Sequence, residues 1–77
     1  MNTCVVCEYG WILLGQKVSE TPSEIRLHNA YVVRRWTNGK GIGGISKAAN
    51  KNEYILDAIG DVNIMREKVL FEIPCEW

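Results

Sequence analysis

The sequence contains one histidine, two prolines and three cysteines, and nowhere a run of eighteen apolar residues. A membrane-spanning helix needs about 20 predominantly apolar residues, so none is predicted. A single histidine in a β-prone stretch gives no basis for a Ser-His-Asp arrangement, and we predict that the protein is not an enzyme. Residues 1–8 lack a basic start and a long apolar middle, so no secretory signal is expected and the predicted location is the cytoplasm.

The three cysteines, Cys4, Cys7 and Cys75, are an odd number, which argues against a disulfide framework in a cytoplasmic protein. The spacing Cys4-x-x-Cys7 also occurs in zinc sites. Here it lies in a β-prone stretch, and residues three apart on a strand point to opposite faces. We therefore predict free thiols, no metal and no cofactor. A zinc site completed by Cys75 or His28 is the alternative.

The nine basic and nine acidic residues balance in number, but they are segregated along the chain. Residues 34–51, here called the basic segment, hold five basic residues and no acid. The rest of the chain has four basic and nine acidic residues, so the segment is +5 and the remainder −5. A local field of this kind favours an anionic partner.

The hydrophobic pattern predicts an all-β protein that forms a single domain over residues 1–77, because so short a chain buries one core. Alternating apolar residues and turn signals predict five strands, at residues 4–18, 24–28, 31–36, 54–65 and 69–73. Gly10, Gly15 and Gly60 are expected to bend these strands. The expected fold is a small barrel of five strongly bent strands, since closure removes exposed strand edges.

A long connection rich in glycine and lysine separates the third and fourth predicted strands. Four of the six residues at 39–44 are glycine. Residues 46–53 are expected either to form one helical turn capped by Ser46 or to continue the loop. Long loops on small rigid domains often carry function.

Two segments of the chain resemble the signatures of Sm-like proteins, the small β-barrels that include bacterial Hfq and the Sm ring subunits. Residues 11–33, with the run from Ile25 to Val33, are similar to the first Sm motif. Residues 60–73 are similar to the second motif, with Arg66 at its Arg-Gly turn. The resemblance implies a ring of about five to seven identical subunits that pair their edge strands. The whole layout also resembles that of small phage and metagenomic proteins, which carry a Val-hydrophobic-Arg-Arg-Trp segment, here 32–36, followed by Lys-Gly-hydrophobic-Gly, here 40–43.

The sequence departs from the Sm-like pattern at the positions that bind RNA in that family. Glu20 and Glu24 occupy the places of the acid-x-x-x-Asn loop, so the asparagine is missing. Glu67 replaces the glycine of the Arg-Gly turn, and its charge repels a phosphate backbone. The resemblance therefore implies the fold and the ring, but not the uridine-binding site of the family.

Glycines and cations of the basic segment make up most of the predicted ligand site. Glycines let backbone N–H groups converge on an anion, and arginine beside tryptophan suits a base and its phosphate. The predicted ligand-binding residues are Arg34, Arg35, Trp36, Lys40, Gly41, Gly43, Gly44, Lys47 and Arg66. On a regular strand, Arg34 and Trp36 share one face and Arg35 takes the other. The alternatives are a flexible loop whose glycines only turn corners, and arginines that cover Trp36 or pair with Asp57 or Asp61.

The predicted function is non-enzymatic binding of nucleotide phosphate by a homo-oligomeric ring. Single-stranded nucleic acid, with RNA favoured, is the expected ligand, and it requires a continuous basic track. One alternative is a phage-encoded protein that sequesters a small cyclic nucleotide signal in the host cytoplasm, which requires discrete pockets. Another is a purely structural or protein-interaction subunit whose basic segment docks on an acidic protein.

Overall fold

The computed structural model describes residues 1–37 and 39–77, and within them five strands form one antiparallel sheet. The strands are β1 (Asn2–Cys7), β2 (Ile12–Glu20), β3 (Glu24–Trp36), β4 (Tyr54–Met65) and β5 (Val69–Pro74). Short 3₁₀ helices cover Glu8–Gly10, Ile42–Ser46, Ala48–Glu53 and Arg66–Lys68. The sheet order is β4-β3-β2-β1-β5. The prediction of a small, five-stranded, all-β fold of the barrel type is confirmed.

The strand boundaries differ from the predicted ones in two places. The strand predicted at 4–18 is two strands, because Tyr9 and Gly10 adopt φ angles of 62° and 79° between β1 and β2. The strands predicted at 24–28 and 31–36 are one strand, β3, which continues through Asn29 at φ 50°. Asparagine tolerates this left-handed conformation better than most residues, so the apolar alternation breaks without ending the strand.

Register shifts bend the long strands. The pairing of β3 with β4 shifts on both sides of Ala30, which lies opposite Gly60 at φ 80°. The pairing of β2 with β3 shifts between Leu14 and Gln16. Bulges of this kind increase the local twist and bend the strand. The bends predicted at positions 15 and 60 are confirmed, whereas Gly10 lies in the turn between β1 and β2.

The sheet is buried on both faces. Val5, Leu13 and Leu27 belong to an inner core on one face. Cys4 and Leu14, each adjacent in sequence to one of these residues, belong to an outer core on the other face. Because neighbouring residues on a strand point to opposite faces, β1 and β2 are covered on both sides where these pairs lie.

The outer core is covered by the connection between β3 and β4. Ile45 of this connection is fully buried and belongs to the same cluster as Leu14 and Val33. Burial of an isoleucine side chain stabilises the fold by roughly 1.5–3 kcal/mol. The connection, which contains most of the basic segment, is thus packed against the sheet as a layer of the fold.

The cysteines are divided between the two cores. Cys4 and Cys75 lie in the outer core and Cys7 in the inner core, so the predicted opposite orientation of Cys4 and Cys7 is confirmed. All three thiols are free and buried. Burial raises the pKa of Cys4 to about 12 and also raises the pKa values of Cys7 and Cys75, which keeps them protonated. Among residues 1–37 and 39–77, no group of three or more His, Cys, Asp and Glu side chains is placed to hold a metal ion.

Candidate functional site

The basic segment is anchored by the residues that follow β5. The indole Nε1–H of Trp77 donates to the carbonyl of Ile45 at 2.7 Å. The backbone N–H of Glu76 donates to the carbonyl of Ser46 at 2.9 Å. These bonds join residues about thirty positions apart, and they fix the middle of the connection to the rest of the fold.

The predicted helical turn over 46–53 is present as the 3₁₀ helix Ala48–Glu53, but Ser46 does not cap it. The hydroxyl of Ser46 instead donates to the carbonyl of Gly43 at 3.4 Å. The carboxylate of Glu76 accepts the backbone N–H of Ala48 at 3.1 Å and takes the role that Ser46 was expected to have. A residue distant in sequence supplies this contact, so a local pattern could not identify it.

Two of the predicted site glycines are required by the packing of the connection. Gly41 has a φ of 69°, and its carbonyl accepts the hydroxyl of Tyr54 at 2.7 Å. At Gly44 an added Cβ would lie 2.7 Å from the same tyrosine oxygen and 2.9 Å from Cβ of Lys40. The carbonyl of Gly44 accepts Nδ2 of Asn50 at 2.9 Å. These contacts explain both glycines without any ligand.

Gly43 differs from its neighbours because nothing in the fold requires it to be glycine. Its φ is not positive, its surface is exposed, and an added Cβ would have no neighbour within 4 Å among residues 1–37 and 39–77. An open glycine of this kind lets a ligand approach the backbone closely. Of the three predicted glycines, Gly43 is therefore the one whose identity the packing does not explain.

Two cations of the basic segment are held by acids that follow it in sequence. Arg34 Nε lies 3.1 Å from Oδ2 of Asp57, as one of the alternatives proposed. Lys40 Nζ lies 3.0 Å from Oδ1 of Asn50 and 3.5 Å from Oε1 of Glu53. These pairs are largely exposed, so each stabilises the fold by at most about 1 kcal/mol. They do reduce the positive charge that Arg34 and Lys40 present to a ligand.

The other three cations, Arg35, Lys47 and Lys51, form what we call the exposed cation group. All three side chains are exposed, and within residues 1–37 and 39–77 none has an ion-pair partner. Lys51 was not among the predicted site residues. Its place in the acid-free run was the signal that could have identified it.

A bulge at the end of β3 changes the expected orientation of Trp36. Val33 pairs with Leu56 and Arg35 with Ile55, so Arg34 is an extra residue in β3. As a result, Trp36 packs against the outer core, with its ring centroid 6.1 Å from that of Tyr54. The prediction that Trp36 shares a face with the exposed Arg34 was wrong, because it assumed regular alternation. Trp36 is half-buried, so only part of its ring is open to a ligand.

Arg66 lies at the other end of the β3–β4 pair from the basic segment. Glu24 pairs with Met65 at its end, and Trp36 pairs with Tyr54 at the opposite end. Eight of the nine predicted site residues belong to the basic segment, and the structure separates Arg66 from them.

The guanidinium of Arg66 is already occupied by groups of the protein. Its Nε donates to the carbonyl of Thr21 at 2.9 Å, one Nη pairs with Glu20, and the other lies 3.9 Å from Oε2 of Glu72. The hydrogen bond from Arg66 is the main cause that lowers the pKa of Glu20. Lys17 bridges the same two acids, at 3.3 and 2.9 Å. Two cations and two acids therefore pair with one another at this end of the molecule.

Comparison with known proteins gives no relative from which a role could be transferred. No family model, no curated protein and no solved structure matches the chain. Within the described residues, no helix is long and apolar enough to cross a membrane. The functional interpretation below therefore depends on the contacts and charges of the chain itself.

Proposed function

We propose that the chain is a non-enzymatic protein that binds nucleotide phosphate through the basic segment. Single-stranded nucleic acid, with RNA favoured, is the proposed ligand, and the cytoplasm is the proposed location. The observation that carries this proposal is the exposed cation group: Arg35 lies near the end of β3, Lys47 and Lys51 lie on the packed connection that follows, and none of the three has an ion-pair partner within residues 1–37 and 39–77. Phosphate groups neutralise such cations and release counterions, which favours binding at low salt.

The contrast with the remaining cations supports a role for the exposed cation group. Three of the four remaining cations, Lys17, Arg66 and Lys68, each lie within 4 Å of a glutamate carboxylate. The fourth, Arg26, donates to Oδ1 of Asn63 at 2.9 Å. The basic segment has five cations, and the nearby Asp57 and Glu53 offset two of them, which leaves about +3. This excess charge is concentrated in one short part of the sequence and attracts an anion there.

The packing of the connection also favours binding. Ile45 anchors it in the outer core, and the hydrogen bond from Trp77 holds its backbone. A segment that is ordered before binding loses less conformational entropy when a ligand arrives. Gly43 leaves the backbone accessible beside these anchors.

We further propose that the protein assembles as a ring of about five to seven copies. The sheet order leaves β4 and β5 as its two outer strands. Exposed apolar side chains occur on both, with Ile59 on β4 and Leu70 and Phe71 on β5. Pairing of β4 in one copy with β5 in the next covers both edges, and repetition of this contact can close a ring. Sedimentation at micromolar concentration that shows an 8.7 kDa monomer would exclude the ring.

The binding proposal is tested by a pair of charge variants. Lys47→Gln/Lys51→Gln removes two members of the exposed cation group, and Lys17→Gln/Arg26→Gln removes the same net charge elsewhere. Binding of a fluorescent single-stranded RNA is measured at several salt concentrations by anisotropy. We expect the first variant to bind at least tenfold more weakly and the second to bind nearly as the wild type does. Equal losses in both variants would show that only net charge matters and would overturn the proposal.

The salt dependence distinguishes the proposed strand from a small nucleotide. For a nucleic-acid strand, the log–log slope is about −0.7 per phosphate contacted. A cyclic dinucleotide offers two phosphates and gives a much shallower slope. Tight binding of the dinucleotide with weak binding of RNA would favour the alternative function, a phage-encoded protein that sequesters a nucleotide signal. Binding of neither ligand would favour the structural or protein-interaction subunit.

A further inference from the structure

An apolar pocket lies beside the turn between β1 and β2, and none of its lining residues is a predicted site residue. Its volume is about 290 Å³, near the small end of the range for ligand pockets. Cys7, Leu13 and Ile64 are buried and form its floor, and Val62 of β4 is partly buried beside them. The space suits a single ring system rather than an extended chain.

Two aromatic side chains stand at the mouth of this pocket. Tyr9 is 93% exposed and Trp11 is 58% exposed, although both line the pocket. Aromatic residues normally bury most of their surface in a core or an interface. Neither of these rings contributes much to the cores of the chain, so the fold does not explain why they are aromatic.

The backbone of Tyr9 provides a second, independent observation. Its φ of 62° and ψ of 21° lie in the left-handed region, where a bulky side chain is unfavourable. Glycine or asparagine would fit this position with less strain. Because the side chain is almost wholly exposed, packing does not compensate for the strain. Strained residues of this kind are concentrated at binding sites.

Polar groups at the mouth complete the pocket. Lys68 Nζ and Glu8 Oε2 form an ion pair at 3.6 Å, and both residues line the pocket together with Asn63. Amide and charged groups around an apolar slot can hydrogen-bond the edge of a flat heterocycle. Asn63 Oδ1 also accepts Nε of Arg26 at 2.9 Å, so it is the remaining hydrogen-bonding capacity of these groups that a heterocycle would use.

We propose that this pocket binds a nucleobase, stacked against Tyr9 and Trp11 with its ring on the apolar floor. The pocket lies at the Met65 end of β4 and the basic segment at the Tyr54 end. The inference rests on the proposed function, because a strand of several nucleotides would place one base in the pocket while phosphates of other nucleotides contact the basic segment. Stacking on aromatic side chains is the usual way to hold unpaired bases, whatever their identity. The pocket thus adds base contact to phosphate contact.

The test uses two tryptophans, Trp11 and Trp77, as separate reporters in a ¹⁵N-labelled sample. The indole N–H of Trp11 reports on the pocket, and that of Trp77, which donates to Ile45, reports on the basic segment. Adenosine, which lacks phosphate, is titrated as the base probe, and pyrophosphate as the phosphate probe. We expect adenosine to shift the Trp11 signal and leave the Trp77 signal unchanged. Pyrophosphate should do the reverse.

Tyr9→Asn and Tyr9→Phe separate binding from folding. Asparagine suits the left-handed backbone but removes the ring, so its thermal midpoint should equal or exceed that of the wild type. Its affinity for adenosine should fall by about tenfold, the scale of one lost stacking contact. Phenylalanine keeps the ring and should bind within about twofold of the wild type. A purely structural tyrosine would show no loss of affinity in a variant that is equally stable. If Tyr9→Asn does not fold, Trp11→Gln provides the same comparison with Val62 as the reporter.

The outcomes distinguish failure of this proposal from failure of the proposed function. If pyrophosphate binds and adenosine leaves Trp11 unchanged up to its solubility limit, the pocket is not a base site, although the phosphate site stands. If the Trp11 signal moves with protein concentration alone, a second copy fills the pocket and the proposal is overturned. If adenosine binds and neither pyrophosphate nor RNA does, the pocket stands and the phosphate proposal fails.

Discussion

The two ends of the β3–β4 pair differ in how many of their cations are paired with acids. At the end where Glu24 pairs with Met65, here called the turn end, Arg66 and Lys17 are paired with Glu20 and Glu72. At the opposite end, where Trp36 pairs with Tyr54 and which we call the loop end, the basic segment carries five cations, of which two contact acids.

The packing of the two ends differs as well. The turn end is a short connection held by backbone hydrogen bonds, such as the one from Arg66 N–H to the carbonyl of Ser23 at 2.9 Å. The loop end is a long segment with its own buried anchor, Ile45, in a separate core. The cations of the turn end are paired with acids of the same chain and hold its strands and turns together. The exposed cation group of the loop end has no such ion pairs within the described residues, so its charge remains available to an external anion.

The largest expected effect comes from the same substitution at the two ends. Ile25 near the turn end and Ile45 at the loop end are both fully buried. Ile25→Ala and Ile45→Ala should each lower the free energy of unfolding by about 2–5 kcal/mol, measured by denaturant titration. Only Ile45→Ala should also remove hydrogen-exchange protection at the Trp77 indole and weaken RNA binding. If both variants lose RNA binding equally while folded, the loop end is not a separate functional unit.

Valine substitutions at the same two positions allow the two ends to be compared if the alanine variants unfold. Ile25→Val and Ile45→Val should cost about 0.5–1.5 kcal/mol each. The same difference in exchange protection and RNA affinity is then measured at temperatures where both variants are folded.

A smaller effect is expected from alanine at two adjacent glycines of the loop end. Gly44→Ala places a methyl group 2.7 Å from the hydroxyl oxygen of Tyr54, and such overpacking typically costs about 1–3 kcal/mol. Gly43→Ala meets open space and should change the free energy of unfolding by less than about 0.5 kcal/mol. Thermal melts of both variants provide the measurement.

A double variant identifies the cause of the Gly44 effect. Tyr54→Phe removes the oxygen that the added methyl group would approach. In Gly44→Ala/Tyr54→Phe, the loss should be smaller than the sum of the two single losses. Strict additivity would mean that the clash with Lys40 Cβ, at 2.9 Å, dominates instead.

The smallest expected effect is a pH dependence that arises at the turn end. The hydrogen bond from Arg66 lowers the pKa of Glu20 in the folded protein. A carboxylate with a lowered folded pKa stabilises the fold above its unfolded value of about 4.3, and this contribution is lost as pH falls further. The thermal midpoint of the wild type should therefore fall on acidification more steeply than that of Glu20→Gln.

Glu67→Gln is the matched control for this pH dependence. It removes an exposed acid from the neighbouring turn without breaking the contact between Arg66 and Glu20. Its acid-side slope should stay closer to the wild type than that of Glu20→Gln. Identical slopes in all three proteins would show that the turn-end ion pairs do not stabilise the fold.

Prediction from sequence was accurate where the signal is local and failed where a bulge intervenes. The strands at 54–65 and 69–73 were predicted to within one residue, because apolar alternation and turn residues mark them directly. The two exceptions, at Tyr9 and Asn29, are non-glycine residues with positive φ, which sequence patterns rarely indicate. At the site, the bulge at Arg34 reversed the orientation of Trp36, because one extra residue exchanges the two faces of a strand.

The sequence by itself determined the all-β class, the opposite orientation of Cys4 and Cys7, and the concentration of positive charge at 34–51. Each of these follows from residue type and near spacing, which local backbone geometry converts directly into structure. The tertiary structure alone decided which cations are paired, since the acids that meet Arg34 and Arg66 come from other strands. It also decided that the glycine-rich connection covers an outer core, because its anchor Ile45 meets partners from β2 and β3 and the indole of Trp77. Contacts between distant residues depend on strand register and on bulges, so they are established only when the sheet forms.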